Sequence, residues 1–144
     1  MIFLDTNFLV RLLVRPENER ELEMADAAAR LMRNVWHGTL EVTTSDAVLS
    51  EVVYVLSGSV YQISRSDIAD GLIRLLQLPA FRSTAKTIWL EAFRIWLDRP
   101  ALSFVDALAA SHSIRGGHQL ATFDRKLMRT PGVMVCDLGD PDAR

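Results

Sequence analysis

Residues 1–10, Met1-Ile2-Phe3-Leu4-Asp5-Thr6-Asn7-Phe8-Leu9-Val10, end an apolar run on a carboxylate and resume an apolar pattern at Phe8, after Thr6 and Asn7. The run up to Asp5 reads as a short buried strand. Thr6 or Asn7 can cap a helix carrying Leu9, Leu12 and Leu13, which Pro16 closes. A strand that feeds directly into a helix is the first half of a parallel β-α unit, and ligands of such folds bind beyond the carboxyl ends of the strands. Asp5 is expected at one of those ends.

The rest of the chain repeats the alternation. Leu22, Ala25, Ala29, Met32 and Trp36 fall at helical spacing from Glu19 to Trp36, with Gly38 as the stop. Residues 40–44 (LEVTT) form a strand, and Ser45 or Asp46 caps a helix to about Leu56. Ser66 with Asp67 starts another helix, closed by Pro79. Further helices are expected over Ala85 to Leu97 and from Ser103 to Gly116-Gly117, and short strands over residues 119–122 (QLAT) and 133–136 (VMVC). Strands alternating with helices predict a parallel sheet covered on both faces. With 144 residues the expectation is a single domain over 1–138, followed by a short flexible tail over 139–144.

Composition narrows the function classes. A net charge of -2 gives no global basic field of the kind that marks many duplex-DNA binders. Cys136 is alone, which excludes a disulfide framework and a cysteine metal site. No apolar run approaches the ~20 residues that span a bilayer, and no secretory leader pattern occurs. The expectation is a cytoplasmic protein with no membrane partner.

Four carboxylates stand in apolar settings. Asp124 follows the strand at 119–122 and shares the carboxyl rim with Asp5. Glu51 lies in AVLSEVVYVL, where no Lys or Arg occurs from Asn34 to Ser64, and Asp106 lies in SFVDALAA. Burying unpaired carboxylates is costly, and one divalent cation resolves all four conflicts. Oxygen donors without His or Cys indicate Mg²⁺ or Mn²⁺, and acids holding such ions recur in phosphodiester cleavage. Each acid also has a structural reading: Asp106 closes a capping box with Ser103, Asp124 caps a short helix, and Glu51 sits half-exposed on a helix flank.

The remaining features are less specific. His37, His112 and His118 lack ligand spacing. Trp89, Phe93 and Trp96 form a helical stripe suited to a core or a protein interface. Arg11, Arg15, Arg115, Arg125 and Arg129 are cations within reach of the rim, with solvated or paired roles as the default.

Taken in order, FLDTNFLVRLL, VLSEVVYVL, SFVDALAASHSIRGG and LATFDRKL closely resemble the PIN-domain ribonucleases, and among them the VapC toxins of toxin–antitoxin pairs. That resemblance covers nearly the whole chain. It implies a three-layer α/β/α sandwich on a small, mostly parallel central sheet, and a Mg²⁺- or Mn²⁺-dependent endoribonuclease. The catalytic acids fall on Asp5, Glu51, Asp106 and Asp124, with Asp5, Asp106 and Asp124 as metal ligands. Thr6, Asn7 and Thr122 match supporting positions beside the acids. Arg11, Arg15 and Arg125 are the expected contacts to RNA phosphates.

The resemblance further implies a homodimer inhibited by a cognate VapB-type antitoxin. The helices around Leu22 to Trp36 and Val48 to Leu56 are the expected docking surfaces. Two other readings compete: a noncatalytic PIN-fold module that binds a partner or RNA, and an aspartyl phosphatase using Asp5 as nucleophile. Asn7 stands where the phosphatase needs a second aspartate.

Overall fold

The structure is a computed structural model describing residues 1–139; residues 140–144 of the expected tail lie outside the described residues. The order of elements is β1 (Ile2–Phe3), α1 (Thr6–Leu13), α2 (Glu19–Trp36), β2 (Val42–Thr43), α3 (Asp46–Ser57), α4 (Arg65–Leu76), α5 (Lys86–Asp98), α6 (Phe104–Gly116), β3 (Gln119–Leu120), α7 (Arg125–Met128) and β4 (Met134–Val135). All strand pairing among the described residues is parallel. This is the α/β class expected from the alternation. The chain divides into two compact units, Met1–Lys86 and Thr87 onward.

In the first unit β1 pairs with β2, Ile2 opposite Val42 and Phe3 opposite Thr43. Phe81 adds a parallel bridge on the far side of Val42. The buried Thr44 hydroxyl donates to the Leu4 carbonyl at 2.9 Å and extends the register beyond the strands. The apolar run before Asp5 is not buried as a whole: only Leu4 is enclosed, while Met1, Ile2 and Phe3 are exposed. Among the described residues β1 pairs with β2 alone.

Helix α1 packs against α2 and α3, and α3 against α4. The buried stripe of α3 is Leu49, Val52, Val53 and Leu56, a spacing of three and four that turns one face inward. Caps decide where the helices start. Asn18 caps α2 and Ser45 caps α3, each accepting an amide three residues on. Helix α4 begins at Arg65 with Ser64 as its cap, earlier than the expected start at Ser66-Asp67. The Ser64 hydroxyl accepts the Asp67 amide, which places Asp67 inside the first turn.

In the second unit β3 pairs with β4, Gln119 opposite Met134. The aromatic stripe is core: Trp89, Phe93 and Trp96 are each at most 3% exposed. Phe93 stacks on Phe104 with ring centroids 4.6 Å apart, and Trp96 meets Phe104 edge-on. The buried Ser111 hydroxyl donates to the Ile88 carbonyl at 2.6 Å, tying α6 to α5. Helix α6 ends on Gly117 at φ 65°, a left-handed position that glycine adopts without a Cβ penalty.

Glu91 joins the same two helices by charge. Its side chain, 12% exposed, meets Arg94 at 2.6 Å and Arg115 at 3.3 Å. The Arg94 hydrogen bond, with the charge of both arginines, holds the Glu91 carboxyl below the ordinary glutamate value of 4.5. A depressed folded-state value contributes stability that is fully present above 4.5 and is lost as pH falls through the folded value. Glu91→Gln should therefore be less stable than the parent at neutral pH, with the gap closing in acid. Urea unfolding at pH ~7 and ~3 checks this, and an unchanged gap in acid would contradict it.

Candidate active site

Asp5 leaves β1 with φ -90° and ψ 175° and is itself the N-cap of α1. Its Oδ1 accepts the Phe8 amide at 2.9 Å. The cap expected at Thr6 or Asn7 thus belongs to the acid, and Thr6 is the first helical residue. This frees the Thr6 hydroxyl, which donates to Glu51 Oε2 at 2.6 Å. One hydroxyl therefore links the start of α1 to the middle of α3.

Asp5, Thr6, Asn7, Val10, Arg11, Val48, Glu51, Val55 and Tyr61 line a single cavity of about 380 Å³. Arg11 donates to the Tyr61 hydroxyl at 2.8 Å and pairs with Glu21 at 3.0 Å. Its side chain is only 17% exposed, and its charge is already met within the fold. The Glu17 amide, followed by the Arg11 charge, holds the Glu21 carboxyl below its usual range.

Asp5 and Glu51 are both exposed, contrary to the expectation that apolar neighbours bury them. The reason is the direction of the α3 stripe. The residues three and four away from Glu51 include Tyr54, 80% exposed, and the exposed Ala47. They share its outward flank rather than the core. What marks these acids is convergence on one cavity, not desolvation.

In the second unit Asp106 is half-buried and closes a capping box. Its Oδ2 accepts the Ser103 amide and its own amide donates to the Ser103 hydroxyl, both at 3.1 Å. Asp124 caps α7: Oδ1 accepts the Lys126 amide at 2.8 Å, and the Lys126 ammonium stands 4.0 Å from Oδ2. The Thr122 hydroxyl accepts the Asp124 amide at 3.0 Å and fixes the turn into the helix. Arg15 and Arg125 are exposed.

Three of the four acids are thus capping residues, each using one oxygen on backbone amides at a helix N-terminus, where negative charge is favoured. The second oxygens of Asp5 and Asp106, and Glu51 Oε1, have no hydrogen-bond partner among the described residues. Among the described residues no group of three or more His, Cys, Asp or Glu is arranged to hold a metal ion. The pair in the first unit nevertheless fits a hard divalent cation by its donor chemistry. Mg²⁺ is commonly held by one or two carboxylates and keeps several waters, and Asp5 and Glu51 offer two free carboxylate oxygens to an open, polar cavity.

Tyr61 is the member of this site that sequence reasoning missed. It follows α3 in a turn closed by the Gln62 amide on the Gly58 carbonyl at 2.8 Å, with Gln62 in the left-handed region at φ 52°. Residues 58–62 carry no periodicity, so nothing in the sequence directs Tyr61 to Arg11.

A family model described as the PIN domain matches residues 2–133. No curated protein matches the chain.

Proposed function

We propose, from the premise that this chain belongs to the PIN-domain family, that it is an endoribonuclease acting as the toxin of a toxin–antitoxin pair of the VapC type. PIN domains are generally metal-dependent nucleases, and the chain has the PIN-like α/β/α fold. The observation that carries the reading is the Asp5–Thr6–Glu51 linkage, which turns two exposed carboxylates into one cavity.

Asp5 and Glu51, with Asp106 and Asp124 of the second unit, are the acids assigned to the reaction. Asp106 and Asp124 are assigned on the likeness of their segments to the family. Asp5, Asp106 and Asp124 would hold Mg²⁺ or Mn²⁺, with Glu51 directly or through water. When bound, such an ion supplies activation of water near neutral pH and charge stabilisation at phosphorus.

The side chains supply the positioning. The Phe8 amide orients the Asp5 carboxylate, and the Thr6 hydroxyl holds one oxygen of Glu51, which lines the same cavity. Because Arg11 is paired with Glu21, it shapes the cavity wall as much as it attracts phosphate. Arg15 and Arg125 are the freer phosphate contacts.

The antitoxin reading is supported by surface chemistry. Asn7, Phe8, Arg11, Met24, Ala27, Ala28 and Leu31 line an apolar groove of about 400 Å³ between α1 and α2. Asn7 and Arg11 also line the acidic cavity, so a segment seated in the groove would run on toward the acids. Trp36 and Tyr54, 73% and 80% exposed, are further contacts for the antitoxin or a second copy of the chain. Among the described residues no helix is long and apolar enough to cross a membrane.

The test is cleavage of total cellular RNA by the purified chain. Cleavage should require Mg²⁺ or Mn²⁺, stop on chelation and return when the ion is restored. Cleavage that persists in EDTA sinks the metal-dependent reading. Absence of both ion binding and cleavage favours the noncatalytic module.

A further inference from the structure

We propose that Phe123 is a stacking platform for an unpaired base of the RNA, held beside Asp124 by a turn that is hydrogen-bonded on both sides of the ring. The identity of the ligand as RNA rests on the nuclease reading; the platform itself rests on the turn. Of the six phenylalanines in the chain, Phe81, Phe93 and Phe104 are buried, whereas Phe123 is 80% exposed. It makes no ring contact with any described aromatic residue.

The exposure is built into the backbone. The Thr122 hydroxyl accepts the Asp124 amide across Phe123, and Asp124 in turn accepts the Lys126 amide with Oδ1 and the Met128 amide with its carbonyl. Before the turn, the Leu120 carbonyl is held by the Cys136 amide. These bonds fix the backbone on both sides of residue 123, and from that backbone the Phe123 ring stands exposed to solvent.

The surroundings choose the occupant. Arg125, Lys126 and Arg129 follow within six residues and are exposed, while Asp124 is the one carboxylate among residues 122–129. A single exposed ring followed in sequence by three exposed cations is a poor match for an apolar protein interface, which needs a contiguous patch. It suits a nucleotide, whose base stacks on the ring while its phosphates meet the cations. The base must be unpaired, because bases of an RNA duplex are already stacked and their major groove is closed to side chains. Stacking of this kind tolerates many base identities.

The experiment measures binding without turnover, by fluorescence anisotropy of a labelled single-stranded oligoribonucleotide with Ca²⁺ in place of Mg²⁺. Phe123→Ala should weaken binding about tenfold and Phe123→Leu nearly as much, while Phe123→Trp restores parental affinity. An oligonucleotide with abasic sites should bind the parent protein as weakly as the intact one binds Phe123→Ala. Equal affinity of the parent and Phe123→Ala, or full rescue by Phe123→Leu, overturns the platform. So does a Phe123→Ala variant that loses self-association by sedimentation while keeping its RNA affinity, because the ring then serves a protein contact. Parental RNA binding that depends on Phe123 without cleavage in Mg²⁺ would sink the nuclease reading and leave the platform standing.

Discussion

Asp5→Asn should lower RNA cleavage by at least about a hundredfold, the scale on which losing one charge-stabilising group acts on catalysis, while leaving helix α1 intact. The separation follows from the double use of the carboxylate. Oδ1 caps α1 by accepting the Phe8 amide, and the asparagine amide oxygen can do the same, since Asn and Asp are equivalent caps. What asparagine removes is the anionic charge and one oxygen donor toward a divalent ion. Asp5→Ala removes the cap as well and should cost about 1 kcal/mol of stability. Comparing cleavage rates and denaturant midpoints across the parent, Asn and Ala proteins separates the two roles. Retained cleavage by the purified Asn variant would sink the assignment of Asp5.

Phe93→Ala should destabilise the fold by about 3–5 kcal/mol, among the largest stability effects expected of a single truncation here. Phe93 is wholly buried and stacks on Phe104 while meeting Trp96 edge-on. Truncation therefore forfeits the transfer energy of the ring, leaves a cavity that two rigid neighbours cannot close, and loses an aromatic pair. Tm should fall by about 10 °C, with no change in self-association beyond that caused by unfolding. If the variant instead melted like the parent but failed to self-associate, the stripe would be an interface and its burial in one chain would be wrong.

Short-range patterns in the sequence were enough for the element order. The helical spacing of Leu22 to Trp36 bounds α2 at Glu19–Trp36 as found. The residues it buries, however, are Ala28 and Val35, while Leu22 and Trp36 are exposed, because the packing of α2 and not its apolar spacing selects the inner face. Pro16, Pro79 and Gly117 stop elements for local reasons. Strands were less legible. Residues 1–5 and 40–44 read as strands throughout, but ladder hydrogen bonds hold only Ile2–Phe3 and Val42–Thr43. Pairing depends on a partner some forty residues away.

The four acids could be nominated from their segments, whereas their setting could not be read there. Asp5 and Glu51 look buried from their neighbours in sequence and are exposed, since the core face of α3 is chosen by what packs on it. Tyr61 and the Arg11–Glu21 pair carry no motif and join the site only through the packing of α1, α2 and α3.

By itself, then, the sequence determined the α/β class, the helices and the family resemblance, and nominated the four carboxylates, all from residue type and spacing. Only the tertiary structure decided that Asp5 is a cap, that Thr6 binds Glu51 across 45 positions of chain, and that the Phe93 stripe is core. Those outcomes depend on contacts between residues far apart in sequence, where the free energy of packing, not local preference, selects the partner.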